Sequence, residues 1–283
     1  MKISIIIVNY NRAEETEKCL ISIAKLNIKG LRLSTIVVDN ASIDNSVNLI
    51  KKRFPDIKLI INKENLGFAQ GNNIGIKEAL KDKADFVWFL NNDTTVERDC
   101  LLYLLNAFKV SKTIGVVIPK IYFAAGYEYH RECYKKGDLG KVIWYAGGYI
   151  DWRNILGIHR GLDEVDKGQY DTFEKTGFVN GCLMGFDKAV VEKVGLWDES
   201  YFLYFEDADY CERAKQKQIL LYYDPTIVIY HKNAQSTGGS GSKTHGYYQR
   251  KNRFMFGLKY APLRTKLHLL SNFIRDQITG TSK

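Results

Sequence analysis

The chain has no plausible cysteine pairing. Its five cysteines, Cys19, Cys100, Cys133, Cys182 and Cys211, are odd in number, scattered, and never spaced Cys-x-x-Cys. That pattern argues against a disulfide framework or a zinc knuckle and favours a reducing compartment. Only 4 prolines occur, without any long biased tract, so a linker-rich or low-complexity protein is excluded. No internal repeat is visible, and no run of 18 or more apolar residues is present to span a membrane. The opening run Met1-Lys2-Ile3-Ser4-Ile5-Ile6-Ile7-Val8 is too short for a signal segment with a cleavage site, and a first core strand is expected there. A Gly-x-Gly-x-x-Gly fingerprint is missing after that strand, where Val8-Asn9-Tyr10-Asn11 stands instead, which weakens a dinucleotide-dependent oxidoreductase.

What is present is enough for a globular core. The 283 residues are 45% hydrophobic and 26% charged, which suits one large α/β domain and not a disordered chain. The formal charge of +9 is concentrated at one end. Residues 240–283 hold Lys243, Arg250, Lys251, Arg253, Lys259, Arg264, Lys266, Arg275 and Lys283 against the single acid Asp276. A basic, partly apolar tail suits an anionic surface such as phosphate groups or a membrane face, or is simply a solvated helical face. No nucleic-acid motif accompanies it, so no nucleic-acid partner is expected.

Strands and helices alternate through the first half. Strands are expected at Lys2 to Val8, Ser34 to Asp39, Lys58 to Ile61, Asp85 to Leu90 and Ile114 to Pro119. Helices are expected over Ala13 to Leu26, after Ser42 as N-cap, and over Phe68 to Leu80 and Glu97 to Val110. This spacing implies βαβ units and a largely parallel sheet. Tyr122 to Gln169 reads as a lobe over the sheet, with short strands at Lys141 to Ile150. Strand-like alternation returns over Lys175 to Phe186. Short helices follow at Asp187 to Val194 and Ala208 to Gln218, then two strands, Leu220 to Tyr223 and Thr226 to Tyr230. Thr237 to Gly241 is a flexible glycine-rich loop, and the chain from Tyr247 onward is helical, broken near Pro262.

Four stations carry candidate chemistry. Tyr10 and Asn11 follow the first strand and offer a ring and amide hydrogen bonds for a base or ribose. Asp39 ends the second strand, where a carboxylate can accept from a base or ribose or cap the next helix. Asn65-Leu66-Gly67-Phe68-Ala69-Gln70-Gly71-Asn72-Asn73-Ile74-Gly75 leads into a helix whose N-terminus attracts anions. Gly71 and Gly75 each cost on the order of 1 kcal/mol against Ala, so something must press closely on that helix. Leu90-Asn91-Asn92-Asp93 places a carboxylate and two amides just after a buried strand, where open α/β sheets bind ligands. That set suits a divalent metal on a diphosphate, or an ordinary polar turn.

Taken in order, these stations resemble family 2 glycosyltransferases of the GT-A fold, and the rhamnosyltransferase-like branch in particular. The resemblance runs from Lys2 to about Phe256 and is thinnest between Tyr122 and Gln169. It implies a Rossmann-like α/β fold with a mostly parallel central sheet flanked by helices, an acceptor-side lobe and a C-terminal helical tail. Residues 1–120 would form the nucleotide-sugar half, 121–240 the acceptor and catalytic half, and 241–283 the basic tail. Donor contacts would come from Tyr10, Asn11, Asp39, Asn65, Gly67, Asn73, Asn91, Asn92 and Asp93. Asp93 would hold a divalent metal, Mg²⁺ or Mn²⁺, in a DXD-type station with Asn91 where some members have a first aspartate. One carboxylate fewer implies that metal and donor bind together.

Thr176-Gly177-Phe178-Val179-Asn180-Gly181-Cys182 resembles the acceptor-side strand, which assigns Gly181 and Cys182 there together with Glu206. The run Tyr201 to Asp209 resembles the Glu-Asp station, which makes Asp207 the general base. A carboxylate is the right group to take a proton from a sugar hydroxyl as it attacks. Helix charging is the other reading of these acids, with Asp209 and Glu212 as a capping box. His231 is either a packing residue or, as in other GT-A enzymes, the group that completes the metal site. Tyr247-Tyr248-Gln249-Arg250-Lys251-Asn252-Arg253 resembles a Tyr-Tyr-x-x-Arg-Asn segment with Lys251 in place of Arg.

The expected function is an inverting transfer from a UDP- or dTDP-sugar to a glycan or lipid-linked glycan. The expected setting is cytoplasmic, with peripheral membrane contact through Leu263 to Ile278; a homodimer through the same helix is the other use of that face. A processive synthase is disfavoured, because Gln249 to Phe254 lacks the Gln-x-x-Arg-Trp spacing. A nucleotidyltransferase lacks its glycine-rich signature. A non-catalytic sugar-nucleotide or glycan-binding protein on the same fold is the remaining rival.

Overall fold

The first strand, Lys2–Asn9 (β1), is buried on both faces; Ile3, Ile5, Ile6 and Ile7 have no exposed surface. A strand covered on both sides reads as a continuous apolar run, which is why it was legible. In the computed structural model, which describes residues 1–110, 114–232 and 242–279, β1 lies at the centre of a mixed sheet.

Helix Ala13–Ile23 (α1) leads to Arg32–Asp39 (β2). Helix Ser46–Arg53 (α2) leads to Lys58–Ile61 (β3), and helix Gly67–Lys81 (α3) to Phe86–Leu90 (β4). All four strands run parallel in the order β4-β1-β2-β3. The chain moves outward from β1 to β3 and then crosses back to β4. The boundary between β1 and β4 is therefore a topological switch point, and a crevice opens at its carboxyl ends. The pressure anticipated on α3 comes from the sheet: a side chain on Gly75 would meet Ile6 Cγ2 at 2.3 Å. Gly71 faces Val8 in the same way.

The second half extends the same sheet. Short strand Thr94–Val96 (β5) precedes helix Cys100–Val110 (α4) and the long strand Ile114–Phe123 (β6). The lobe carries Val142–Tyr145 (β7), Gly148–Asp151 (β8), Leu156–His159 (β9) and Glu164–Val165 (β10), with β8 and β9 forming a separate hairpin. Glu174–Lys175 (β11), Leu183–Asp187 (β12), helix Lys188–Val194 (α5), helix Glu206–Gln216 (α6) and Leu220–His231 (β13) follow. β12 runs antiparallel beside β4, whereas β13 runs parallel to β6. Helices Lys243–Tyr260 (α7) and Leu263–Thr279 (α8) close the chain, separated at Pro262 as expected.

The central sheet is mostly parallel, as expected, but several boundaries differ. β6 continues past Pro119, which pairs with Asp224 where the register with β13 shifts between Asp224 and Val228. A residue without an N–H is tolerated at such an irregularity. For the same reason Asp224-Pro225 does not end β13, which is one strand and not two. The alternation over Lys175 to Phe186 resolves into β11 and β12 with irregular chain between them. Ser42 is not the cap of α2: the helix starts four residues later, and the Ser46 amide donates to Asp44. The loop expected at Thr237 to Gly241 lies outside the described residues.

Candidate active site

One cleft of about 640 Å³ sits over the switch point. Its size suits a small-molecule ligand. Tyr10, Asn65, Gly67, Asn91, Asn92, Asp93, Gly181, Cys182, Glu206, Asp207 and His231 all line it. Residues expected from six separate stretches thus meet in one place. The lobe adds Trp144 and His159, the chain between β11 and β12 adds Phe178, and α7 adds Thr244, His245 and Gln249.

At the end of β4, Asp93 is 6% exposed and faces His231, whose Nε2 lies 3.2 Å from its Oδ1. The pairing follows from strand register: β5 runs antiparallel to β13, with Thr94 opposite His231, and the Lys232 amide donates to the Asp93 carbonyl at 3.0 Å. Burial raises the Asp93 carboxyl, but the His231 charge and contact outweigh it and hold the group below the ordinary aspartate range. The contact is close without being aligned as a hydrogen bond. Among the described residues, Asp93 Oδ1, His231 Nδ1 and Asn91 Oδ1 are buried without a hydrogen-bond partner. Unpaired buried polar atoms are costly, so their convergence on a cleft wall marks a ligand station. Trp144 holds the His231 ring edge-on at 4.6 Å between centroids.

The second charged centre is at the start of α6. Glu206 and Asp207 both lie in the first turn, two residues earlier than the sequence suggested, and both also line the cleft. Asp207 is half-buried; its Oδ2 accepts from the Gly181 amide at 2.9 Å and its Oδ1 from the Ala208 amide at 2.7 Å. Burial raises its carboxyl to about 6, while those two amides hold it down. Glu206 has only its own backbone amide to hold it down; burial first and the Asp207 charge second push it well above the usual range. Both shifts disfavour charging the two carboxyls together, and only Asp207 has amides from its neighbours to favour its ionised form. Asp209 is not a cap. It is fully buried and binds Arg213, Lys259 and the Tyr260 hydroxyl, which fastens α6 to α7.

The turn before α6 is strained. Tyr204 and Phe205 both have φ of 70°, a left-handed conformation that side-chain-bearing residues rarely adopt. The fully buried Asn252 of α7 holds it, donating from Nδ2 to the carbonyls of Leu203 at 2.8 Å and Tyr204 at 2.9 Å. Phe202 reaches the other way, its carbonyl accepting from the Phe68 amide at 2.7 Å. Gly67, at φ +80°, is required there, because a side chain would sit 2.5 Å from that carbonyl. The Asn65 carboxamide accepts from the Gly67 amide, so the first donors of α3 already have partners and are not open to an anion.

A three-residue segment joins the two charged centres. Gly181 donates to Asp207, and the Cys182 carbonyl accepts from the Asn91 amide at 2.9 Å. Cys182 itself is buried, which raises its thiol well above its usual range and keeps it neutral.

Three expected donor residues do not line the cleft. Asn73 is buried and bonds the Trp197 backbone and Glu199, so it props α3 against the 197–199 turn. Asp39 has no exposed surface; it accepts from Asn9 Nδ2 at 2.7 Å and the Ser42 amide at 2.8 Å. Asn11 braces the same loop through the Ile43 amide and Ser42. The hub beneath the floor is Asn9, whose Oδ1 accepts from Thr16 and Asn92. Asn92 lines the cleft with its donors turned into this network. Sequence reasoning missed the roles of Asn9 and Asn252; their only signal was position, at a strand end and within the Tyr247-to-Arg253 run. Lys251 is exposed on α7 and does not line the cleft.

Residues 4–195 match the family described as Glycosyl transferase family 2. A low-salt glycan biosynthesis hexosyltransferase, Agl10 of Haloferax volcanii, is 26% identical over 254 residues, 89% of this chain and 74% of that protein. The poly-beta-1,6-N-acetyl-D-glucosamine synthase of Staphylococcus aureus is 24% identical over 98% of this chain, which spans 61% of that protein. Neither name is that of a rhamnosyltransferase. Among solved structures, GalNAc-T7 with UDP, GalNAc and Mn²⁺ aligns with a TM-score of 0.64 at 17% identity, over 82% of this chain and 44% of that one. S. aureus TarS aligns with a TM-score of 0.51 at 17% identity, over 80% of this chain and 37% of that one. These likenesses establish the GT-A fold.

Proposed function

The chain belongs to glycosyl transferase family 2, and from that premise we propose that it is an inverting, metal-dependent enzyme. It moves a sugar from a UDP- or dTDP-sugar to a hydroxyl of a glycan or lipid-linked glycan. The relatives named for glycan and poly-N-acetylglucosamine synthesis support a place in polysaccharide or cell-wall assembly. The five free cysteines support a cytoplasmic setting.

The nucleotide lies along the β1 and β4 ends. Tyr10, 43% exposed at the rim, offers its ring to the base, and Asn65 lines the same wall. Asp93 Oδ1, His231 Nδ1 and Asn91 Oδ1 are hard oxygen and nitrogen donors without a hydrogen-bond partner, which fits Mg²⁺ or Mn²⁺. A divalent cation held by these residues would supply Lewis-acid stabilisation of the departing diphosphate. Two ligands and one amide make an incomplete set, and among the described residues no group of three or more His, Cys, Asp or Glu is gathered. Diphosphate oxygens would complete it, so cation and donor would bind together.

Asp207 is the general base. It takes the acceptor proton as the hydroxyl attacks the anomeric carbon from the face opposite the diphosphate, and the configuration inverts. A carboxylate that protonates at about 6 is ionised at pH 7 yet basic enough for the transfer. Burial and the Asp207 charge both disfavour ionisation of the neighbouring Glu206, so it competes less as a second charge. Trp144, Phe178, Phe202 and Phe205 line the cleft with apolar surface and keep water from the activated sugar.

The observation that carries this reading is the segment Asn180–Cys182, which fastens the base at Asp207 to the metal station at Asn91–Asp93 across one cleft. A thermal-shift screen of nucleotide sugars with and without Mg²⁺ or Mn²⁺ tests it. A rise in Tm that needs both nucleotide and metal is expected, and absence of any metal-dependent rise overturns it.

A further inference from the structure

Helix α8 exposes a line of large apolar side chains that no described residue covers. Leu263 is 73% exposed, Leu267 59%, Leu270 39% and Ile274 56%, at spacings of four, three and four that place them on one face. A different face packs on the protein: Leu269 sits against Gly257 of α7, and Phe273 contacts Phe254 at 5.0 Å between centroids. On the helical wheel, Arg264 and Arg275 flank the apolar line on one side and Lys266 on the other. From Ser242 to Thr279 the chain holds eight lysines and arginines against one acid, Asp276.

We infer that α8 lies in the plane of an anionic lipid surface, with this apolar line sunk between headgroups and its basic flanks on lipid phosphates. A strongly amphipathic helix with apolar residues flanked by Lys and Arg is the pattern of an interfacial helix. The charge selects the occupant: a second copy would set two strongly basic segments against each other, whereas an anionic leaflet complements them. No helix among the described residues is long and apolar enough to cross a membrane, so the contact is peripheral.

The position also fits the cleft. Gly257 meets Leu269 and Phe254 meets Phe273, so α8 runs antiparallel to α7 and returns towards the α7 turn that holds Gln249. Gln249, Thr244 and His245 line the cleft. A bilayer against α8 is thereby tied to α7, the helix whose first half lines the cleft, which suits an acceptor on a lipid carrier. The placement deepens the lipid-linked-acceptor reading, while the binding itself is measurable without donor, acceptor or turnover.

The test is flotation of the full chain with vesicles of phosphatidylcholine alone or with 30% phosphatidylglycerol, about the anionic content of a charged leaflet. Binding to the anionic vesicles is expected at low salt, at least tenfold above neutral ones, and weakening as salt rises. Leu267→Glu with Ile274→Glu abolishes it while Tm stays unchanged, because both side chains are exposed. Absence of anionic-vesicle binding, or binding indifferent to the double substitution, overturns the inference. So does a stable dimer by light scattering that the double substitution dissociates.

Discussion

Replacing Asn252 with alanine separates the aim of the base from donor binding. The side chain is fully buried, and its one amide nitrogen holds the carbonyls of Leu203 and Tyr204. Those carbonyls belong to the turn in which Tyr204 and Phe205 are both left-handed. Each such residue costs on the order of 1–3 kcal/mol and persists only when its surroundings enforce it. Loss of the two hydrogen bonds removes about 1–3 kcal/mol more. The turn then relaxes, and α6 no longer presents Asp207 at the same angle. A displacement of about 1 Å near reacting atoms can cost roughly 100-fold in rate. For Asn252→Ala we expect a fall in Tm of roughly 2–8 °C and a fall in kcat of about 10- to 100-fold. Affinity for the nucleotide donor should be unchanged, because Tyr10, Asn91 and Asp93 stand on other elements. Asn252→Asp should be worse than alanine, because it sets a carboxylate against two carbonyl oxygens. The measurements are steady-state kinetics alongside donor titration and thermal unfolding. A normal kcat in a folded Asn252→Ala, or a loss of donor affinity equal to the loss of rate, would refute the reasoning.

Four further outcomes follow from the same geometry. The kcat/KM should rise with pH through about 6 as Asp207 ionises, and be roughly tenfold lower at pH 5 than at pH 7; a flat profile between pH 5 and 7 would exclude Asp207 as the base. Because that carboxyl binds its proton more tightly folded than unfolded, its contribution to stability is greatest below about 4 and is lost as pH rises to 6, so Asp207→Asn should flatten this part of the stability curve in pH-dependent unfolding. Asp93→Asn should abolish metal-dependent donor stabilisation in thermal shift, and its missing charge should remove stability that the wild type holds above the unfolded carboxylate pKa and loses on acidification. Gly67→Ala should destabilise by about 2–4 kcal/mol in denaturant unfolding, through its positive φ and the Phe202 carbonyl in the way; a neutral result would contradict the packing of the 202–205 turn on α3.

The parallel half was legible because strands covered on both faces leave unbroken apolar runs, as in Ile3 to Val8 and Phe86 to Leu90. β5 was not, since Thr94-Thr95-Val96 is too short for a periodic signal and exists only through pairing with β13. That same ladder brings His231 to Asp93, so the pair could be expected only from the family resemblance. Asp93 was singled out by its place at a strand end, and its metal role and the base role of Asp207 came only from the family resemblance. Asp39 and Asn73 show the limit of such reading: each stands in a stretch that serves the cleft, yet each holds neighbouring chain. Polar residues that line a site and those that support it look alike in one dimension. Asn252 was invisible in its role because its partners are backbone carbonyls nearly fifty residues away.

The most direct test of the account is to measure donor affinity and turnover together in Asp207→Asn. The substitution keeps the shape of the side chain and removes the one group assigned to take the acceptor proton. Metal-dependent donor binding should stay within about threefold of wild type while kcat falls by roughly 100- to 10,000-fold. Turnover within about tenfold of wild type would contradict Asp207 as the general base, and loss of donor binding along with turnover would contradict its separation from the diphosphate station.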